Sequence, residues 1–155
     1  MDRRSFNRAA TGLMAGVAGL FASSAKADTP QKQHRIVFQV SGGDAGIMNM
    51  VLNNAKNAVD YYSERREPVQ IEIVAFGPGY LMLRDNSPMR FRIAEMRQKF
   101  PSIVFSACQN SRRAVAREEG KKLEEIIELP EATDVPAGVV RVNELQEEGW
   151  SYIRP

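Results

Sequence analysis

Cys108 is the one cysteine of the chain, and the residues around it favour its thiolate form. Ile103, Val104 and Phe105 read as a buried strand, because β-branched and aromatic residues suit a packed, pleated surface and Pro101 and Ser102 punctuate its start. Asn110 is then the expected N-cap, and the residues that follow it to Glu119 favour a helix that Gly120 stops. A cysteine at such a strand-to-helix handover faces helix amides and the positive end of the dipole. Arg112 and Arg113, in the first turn, would add cationic charge beside an anionic sulfur. The chemistry this permits is nucleophilic attack by sulfur. The plain alternative is an inert, buried cysteine behaving as a small hydrophobe.

Other chemistries find less support. The Gly42-Gly43-Asp44-Ala45-Gly46 loop invites a nucleotide reading, but it fits neither G-x-G-x-x-G nor the phosphate loop with its Lys and Ser/Thr. Gly42, Gly43 and Asp44 also make an ordinary strand-to-helix connection in which Asp44 caps the helix. His34 is the only histidine, and no cluster of Cys, His and carboxylate has ligand spacing, so no metal and no cofactor are expected. His34 begins the first strand, at the opposite end from Cys108, which argues against a Cys-His hydrolase. Met89 and Met96 fall on an apolar helix stripe and read as core. The paired glutamates, such as Glu118 and Glu119, read as solvated surface because neighbours in a helix do not face each other.

Strands and helices alternate to position these residues. Strands are predicted over 36–40 and 69–76. Between them a helix over 47–64 repeats Met48, Val51, Leu52, Ala55, Val59 and Tyr62 at helical spacing. Gly77-Pro78-Gly79-Tyr80 reads as a tight loop in which backbone could approach a neighbouring site closely. The next helix is expected to start with Ser87 as N-cap and Pro88 as first residue, with Met89, Ile93, Met96 and Phe100 inward. Residues 121–128 fit helix or loop, and Ile126, Ile127 and Leu129 could add a strand. Pro130 and Pro136 frame an extended stretch. Val139, Val142 and Leu145 fit a helix ended by Gly149, and residues 150–153 a last strand. The alternation implies a three-layer α/β/α fold with a mostly parallel sheet of about five strands. It also puts the loops 41–46, 77–80 and 107–111 at one rim, which is where ligands bind in open α/β sheets.

The chain has 155 residues, 43% hydrophobic and 26% charged, which suits one domain with one core. Its first 27 residues read as an export signal. They hold the twin arginines Arg3 and Arg4 before Ser5 and Phe6, then a modestly apolar run, then Ala25-Lys26-Ala27 as a cleavage site. The mature domain would span 28–155, in the periplasm, with no membrane attachment. Setting aside Arg3, Arg4, Arg8, Lys26 and Asp2 leaves 17 basic and 18 acidic residues, a balance of −1. With no basic stripe, nucleic acid is not an expected partner. A lone cysteine excludes a disulfide within the subunit and leaves an inert thiol, an intermolecular disulfide, or a thiol that carries something.

The order and spacing of several segments resemble the DsrE/DsrF-like proteins, which include the sulfur-carrier subunits of the Dsr and Tus relays. These segments are Phe-Ser-Ala-Cys-Gln-Asn at 105–110, Val-Ala-Phe-Gly-Pro-Gly at 74–79, Val-Pro-Ala-Gly-Val-Val at 135–140, and the run from Leu145 through Gly-Trp-Ser-Tyr-Ile-Arg-Pro. The final segment resembles a less characterised branch of that family. In the relay subunits a cysteine after the third strand holds a persulfide, and Cys108 stands at the matching place. The resemblance therefore implies a DsrEFH-like fold, a homo-oligomer, and a sulfurtransferase or persulfide carrier. Its partners would be sulfur donor and acceptor proteins or small thiols. Asn110, Arg112, Arg113, Gly77, Gly79 and Tyr80 are then expected to shape the pocket. The relay subunits work in the cytoplasm, and the export signal sets this chain apart from them. The alternative is a non-catalytic ligand-binding or assembly module that keeps the fold.

Overall fold

The computed structural model describes residues 32–155. The expected signal, 1–27, lies outside the described residues. The chain runs β1 (His34–Val40), α1 (Ala45–Glu64), β2 (Val69–Ala75), a 3₁₀ helix (Gly77–Leu83), α2 (Arg90–Lys99), β3 (Ile103–Cys108), α3 (Gln109–Glu118), a short 3₁₀ turn (Leu123–Glu125), β4 (Ala132–Val135), α4 (Gly138–Glu147) and β5 (Ser151–Ile153). The five strands form one sheet in the order β4-β3-β2-β1-β5, and every pairing is parallel. This is the expected three-layer α/β/α architecture.

Strand periodicity divides the core. Ile36, Phe38, Val40, Ile71, Ile73, Ile103, Phe105 and Ala107 point to one face, where α1, α2 and α3 cover them with Met48, Leu52, Ile93 and Ala116. Val37 and Val74 point to the other, where only α4 packs, through Val142 and Leu145. The near-continuous apolar run of β2 reflects cover on both faces. Cys108 lies on the α4 side of β3, because it shares parity with Val104 and Ser106 and opposes that of Phe105 and Ala107. Among the described residues no helix is long and apolar enough to cross a membrane.

Several boundaries differ from the sequence reading. β3 continues through Ser106 and Ala107 to Cys108, because these residues pair with β2 or β4. α3 consequently begins earlier, with Cys108 as its N-cap and Asn110 already inside the first turn. α2 starts at Arg90. Ser87 still works locally, its Oγ accepting the Met89 N–H at 3.1 Å, but it closes a turn ahead of the helix. Gly77-Pro78-Gly79-Tyr80 is the first half of a 3₁₀ helix rather than a loop, and Ile126, Ile127 and Leu129 join no strand. Asp44 does cap α1, accepting from the Gly46 and Ile47 amides at 2.8 and 3.1 Å. Gly120 closes α3 with φ of 63°, a conformation that glycine adopts without steric cost.

Candidate functional site

The carboxyl ends of the strands converge at Cys108. α3 leaves β3 toward one face of the sheet and α4 leaves β4 toward the other, while β3 and β4 are neighbours that pair Cys108 with Val135. Adjacent strands whose following helices diverge open a crevice, the switch point at which parallel α/β folds receive ligands. Cys108 stands in it. Its sulfur accepts the backbone N–H of Gly138, the first residue of α4, at 3.2 Å. Two helix N-termini thus flank one sulfur, since Cys108 itself begins α3.

Burial would raise the Cys108 pKa, but hydrogen bonds from the Ser111 side chain, the Gly138 amide and the Ser111 and Asn110 amides outweigh it, and the net direction is down. Ser111 also ties the site together. Its Oγ accepts the Gly77 N–H at 2.7 Å, joining the end of β2 to the first turn of α3. Cys108 is 4% exposed, and Ser111 beside it is 8% exposed.

Arg112 and Arg113 are engaged with other partners. The Arg112 Nε donates to the Ile126 carbonyl at 3.0 Å and its guanidinium pairs with Glu128 at 3.3 Å, while Arg113 donates to Asn110 Oδ1. The hydrogen bonds that favour the anionic sulfur come from backbone amides and a hydroxyl. Tyr80 is fully buried. Its hydroxyl donates to Glu128 Oε1 at 2.7 Å, and Gln109 Nε2 donates to the same oxygen at 3.0 Å. Burial and the Glu128 carboxylate push the Tyr80 phenol far up, and burial also pushes Glu128 up. This polar knot fixes the start of α3 from below.

Gly77, Gly79, Gly42 and Gly43 do come to the same rim. A Cβ on Gly79 would lie 2.2 Å from the Val40 carbonyl oxygen, and one on Gly43 would lie 3.1 Å from that of Pro78. Their role there is close approach of the chain ends of β1 and β2. His34 sits at the amino end of β1, bonded through Nε2 to Glu67 at 2.7 Å and stacked on Tyr62. Among the described residues no group of three or more His, Cys, Asp or Glu could hold a metal.

Two clefts of about 430 and 440 Å³ open on the α3 and the α4 sides of the sheet, and Cys108 lines neither of them. The first runs between α3 and the 3₁₀ helix Gly77–Leu83 and begins at Asn110 and Ser111. The second lies on the α4 face, where Val135, Pro136 and Ala137 form its upper end. Its floor holds Glu72, 4% exposed, whose carboxylate accepts two bonds from Arg141 at 2.8 Å and one from Ser106 at 2.7 Å. Sequence reading missed Ser111, Gly138 and Glu128 as site residues. Only Gly138 left a local trace, as a small residue opening a helix two positions after Pro136.

No family model matches the sequence, and no curated protein does either. Among solved structures the chain is similar to the protein of unknown function MTH1491 from Methanobacterium thermoautotrophicum. The match is 30% identical, has a TM-score of 0.66, and covers 79% of this chain and 99% of that one. At that identity and coverage the chain belongs to the same family as MTH1491.

Proposed function

We propose that this protein carries sulfane sulfur as a persulfide on Cys108, in the periplasm, taking it from a donor protein or small persulfide and passing it to an acceptor thiol. The observation that carries the reading is the Gly138 N–H on the Cys108 sulfur at 3.2 Å, at a switch point flanked by two helix N-termini. An anionic sulfur is stabilised there, and the thiolate is the attacking form. The resemblance of 105–110 and 74–79 to DsrE/DsrF-like carriers supports the same reading. Loading breaks one S–S bond and forms another: the Cys108 thiolate attacks the outer sulfur of R–S–SH, Cys108–S–SH forms, and R–S⁻ leaves with the bonding pair. No oxidant is needed. Once loaded, the outer sulfur stands about 2 Å from the buried one, one S–S bond length.

The test is mass spectrometry of the Cys108 peptide after incubation with inorganic polysulfide. A gain of about 32 Da, one sulfur, is expected, and Cys108→Ser removes it. An unmodified Cys108 in the folded protein overturns the proposal. One observation favours a second reading: at 4% exposure Cys108 is nearly closed off, as suits a ligand-binding or assembly module with no chemistry at sulfur. On that reading the peptide never gains mass, and Cys108→Ser leaves assembly intact.

A further inference from the structure

Resting on the carrier reading of Cys108, we infer that the first turn of α4 is a gate over that sulfur, that Arg141 on Glu72 is its latch, and that opening it joins Cys108 to the cleft on the α4 face. Cys108 is 4% exposed and lines neither cleft, so a sulfur donor reaches it only after something moves. Val104, Ser106 and Cys108 point to the same face of β3, and the first two line the α4-side cleft. Cys108 is the next side chain in that row, about 6.6 Å beyond Ser106 along the strand. Its strand partner Val135, with Pro136 and Ala137, closes that end of the cleft. Gly138 follows directly, with its N–H on the Cys108 sulfur at 3.2 Å. The start of α4 thus stands between cleft and sulfur.

That turn begins weakly. Ala137 holds the N-cap position with extended backbone (φ −146°, ψ 119°), but it has no side-chain oxygen to accept the free amides of the helix. Gly138 follows it, and glycine favours helix less than any residue but proline. Packing is also uneven along α4. Val142 and Leu145, further along, are buried against Val37 and Val74, whereas Val139 and Val140 are 66% and 51% exposed. Segments with few buried apolar contacts are the ones that open at low cost. α3, the other helix that begins beside Cys108, is tied in its first turn, by Ser111 to Gly77 and by Arg112 to Ile126 and Glu128.

Arg141 holds the α4 turn down. It lies three residues after Gly138, about one helical turn, and donates through Nε and Nη2 to the Glu72 carboxylate at 2.8 Å each. Glu72 is buried on β2 and also accepts the Ser106 Oγ at 2.7 Å, two residues before Cys108 on β3. A two-pronged pair fixes orientation as well as distance, so it registers α4 on the strand that carries the sulfur. Arg141 is therefore a positioning residue, acting through the Gly138 amide. Closed, the turn donates to the resting thiolate. Open, it admits a small persulfide or polysulfide from the cleft, and the sulfur exchange written above proceeds.

The experiment uses the full chain and reads Cys108 alkylation by iodoacetamide at its high-pH plateau, where ionisation of the thiol no longer limits the rate. Ala137→Ser supplies the missing cap without adding charge and slows the plateau rate about five-fold. Removing the latch as a pair, Glu72→Gln with Arg141→Met, leaves no buried charge unpaired and speeds it about ten-fold or more. Hydrogen exchange locates the opening: amides of residues 138–141 exchange faster in the latchless protein and slower in Ala137→Ser, while those of α3 stay unchanged. Plateau rates indifferent to both changes overturn the gate, even if polysulfide loads Cys108. So does a gain in the latchless protein that is matched by faster exchange in α3. Rates and exchange that shift as expected, in a protein whose Cys108 never gains mass from inorganic polysulfide, uphold the gate and overturn the carrier reading instead.

Discussion

At Cys108 burial and hydrogen bonding oppose each other, and the arrangement of donors decides the sign. Burial disfavours the thiolate, while the Ser111 hydroxyl and the Gly138, Ser111 and Asn110 amides favour it. A folded thiol held below its ordinary value contributes stability above that ordinary value, and the contribution is lost as pH falls through the folded pKa. Ser111 is the member of the group that a substitution can remove. In Ser111→Ala the sulfur loses a donor and the Gly77 amide loses its acceptor at 2.7 Å. Gly77 is exposed, so water replaces that acceptor and the cost in stability is about 1 kcal/mol. The expected signature is therefore electronic rather than structural. Plotted against pH, the rate of Cys108 alkylation by iodoacetamide rises at a higher midpoint in Ser111→Ala than in wild type, and Ser111→Thr restores it. Coincident midpoints would show that the hydroxyl does not act on the sulfur.

Elements meet at the rim through glycines, and the two best placed for comparison behave oppositely. A Cβ on Gly79 would sit 2.2 Å from the Val40 carbonyl oxygen and 2.6 Å from its carbon, which are backbone atoms of β1 that cannot move alone. On Gly42 the nearest atom is the Ile47 Cδ1, the far end of a flexible side chain. Gly79→Ala is expected to cost about 2 kcal/mol or more, through the same overpacking that penalises inserted core atoms. Gly42→Ala should change stability by no more than about 0.5 kcal/mol, the loss of unfolded-state freedom offsetting a small shift of Ile47. Urea melts of the two variants check the contrast. These contacts also show what the sequence could reveal. The stripe Met48, Val51, Leu52, Ala55, Val59 is local and periodic, and it is the buried face of α1. Cys108 and Gly138, or Tyr80 and Glu128, lie 30 and 48 residues apart and meet only through sheet order, which no local pattern encodes. Asn110 suits an N-cap by residue type, but strand pairing of Cys108 with Val135 fixes the boundary two residues earlier. Arg112 and Arg113 are near Cys108 in sequence, yet a helix turn points them toward Ile126, Glu128 and Asn110.

Across the whole molecule, two ion pairs fasten the outer elements to the sheet assembly. Arg141 on α4 grips Glu72 on β2 across the thinly covered face, with Ser106 of β3 completing the carboxylate's bonds. On the opposite side Arg84, after the 3₁₀ helix, holds Glu119 at the end of α3, with Lys121 on the other oxygen. Both clefts are bounded by one of these pairs, so the walls beside Cys108 depend on them. The second pair has a pH signature. Hydrogen bonds from Arg84 and Lys121 draw the Glu119 pKa down from 4.5 to about 2. An acid whose folded pKa lies below its unfolded one stabilises the fold above the unfolded value and loses that contribution as pH falls toward the folded value. Wild type should therefore melt higher than Glu119→Gln at pH 7. The gap should persist to about pH 5 and close between 4.5 and about 2, as protonation turns the wild-type side chain into a neutral group like its replacement. Thermal melts of both proteins across that range decide it. A gap independent of pH would mean that shape, not charge, holds α3 against the 3₁₀ helix.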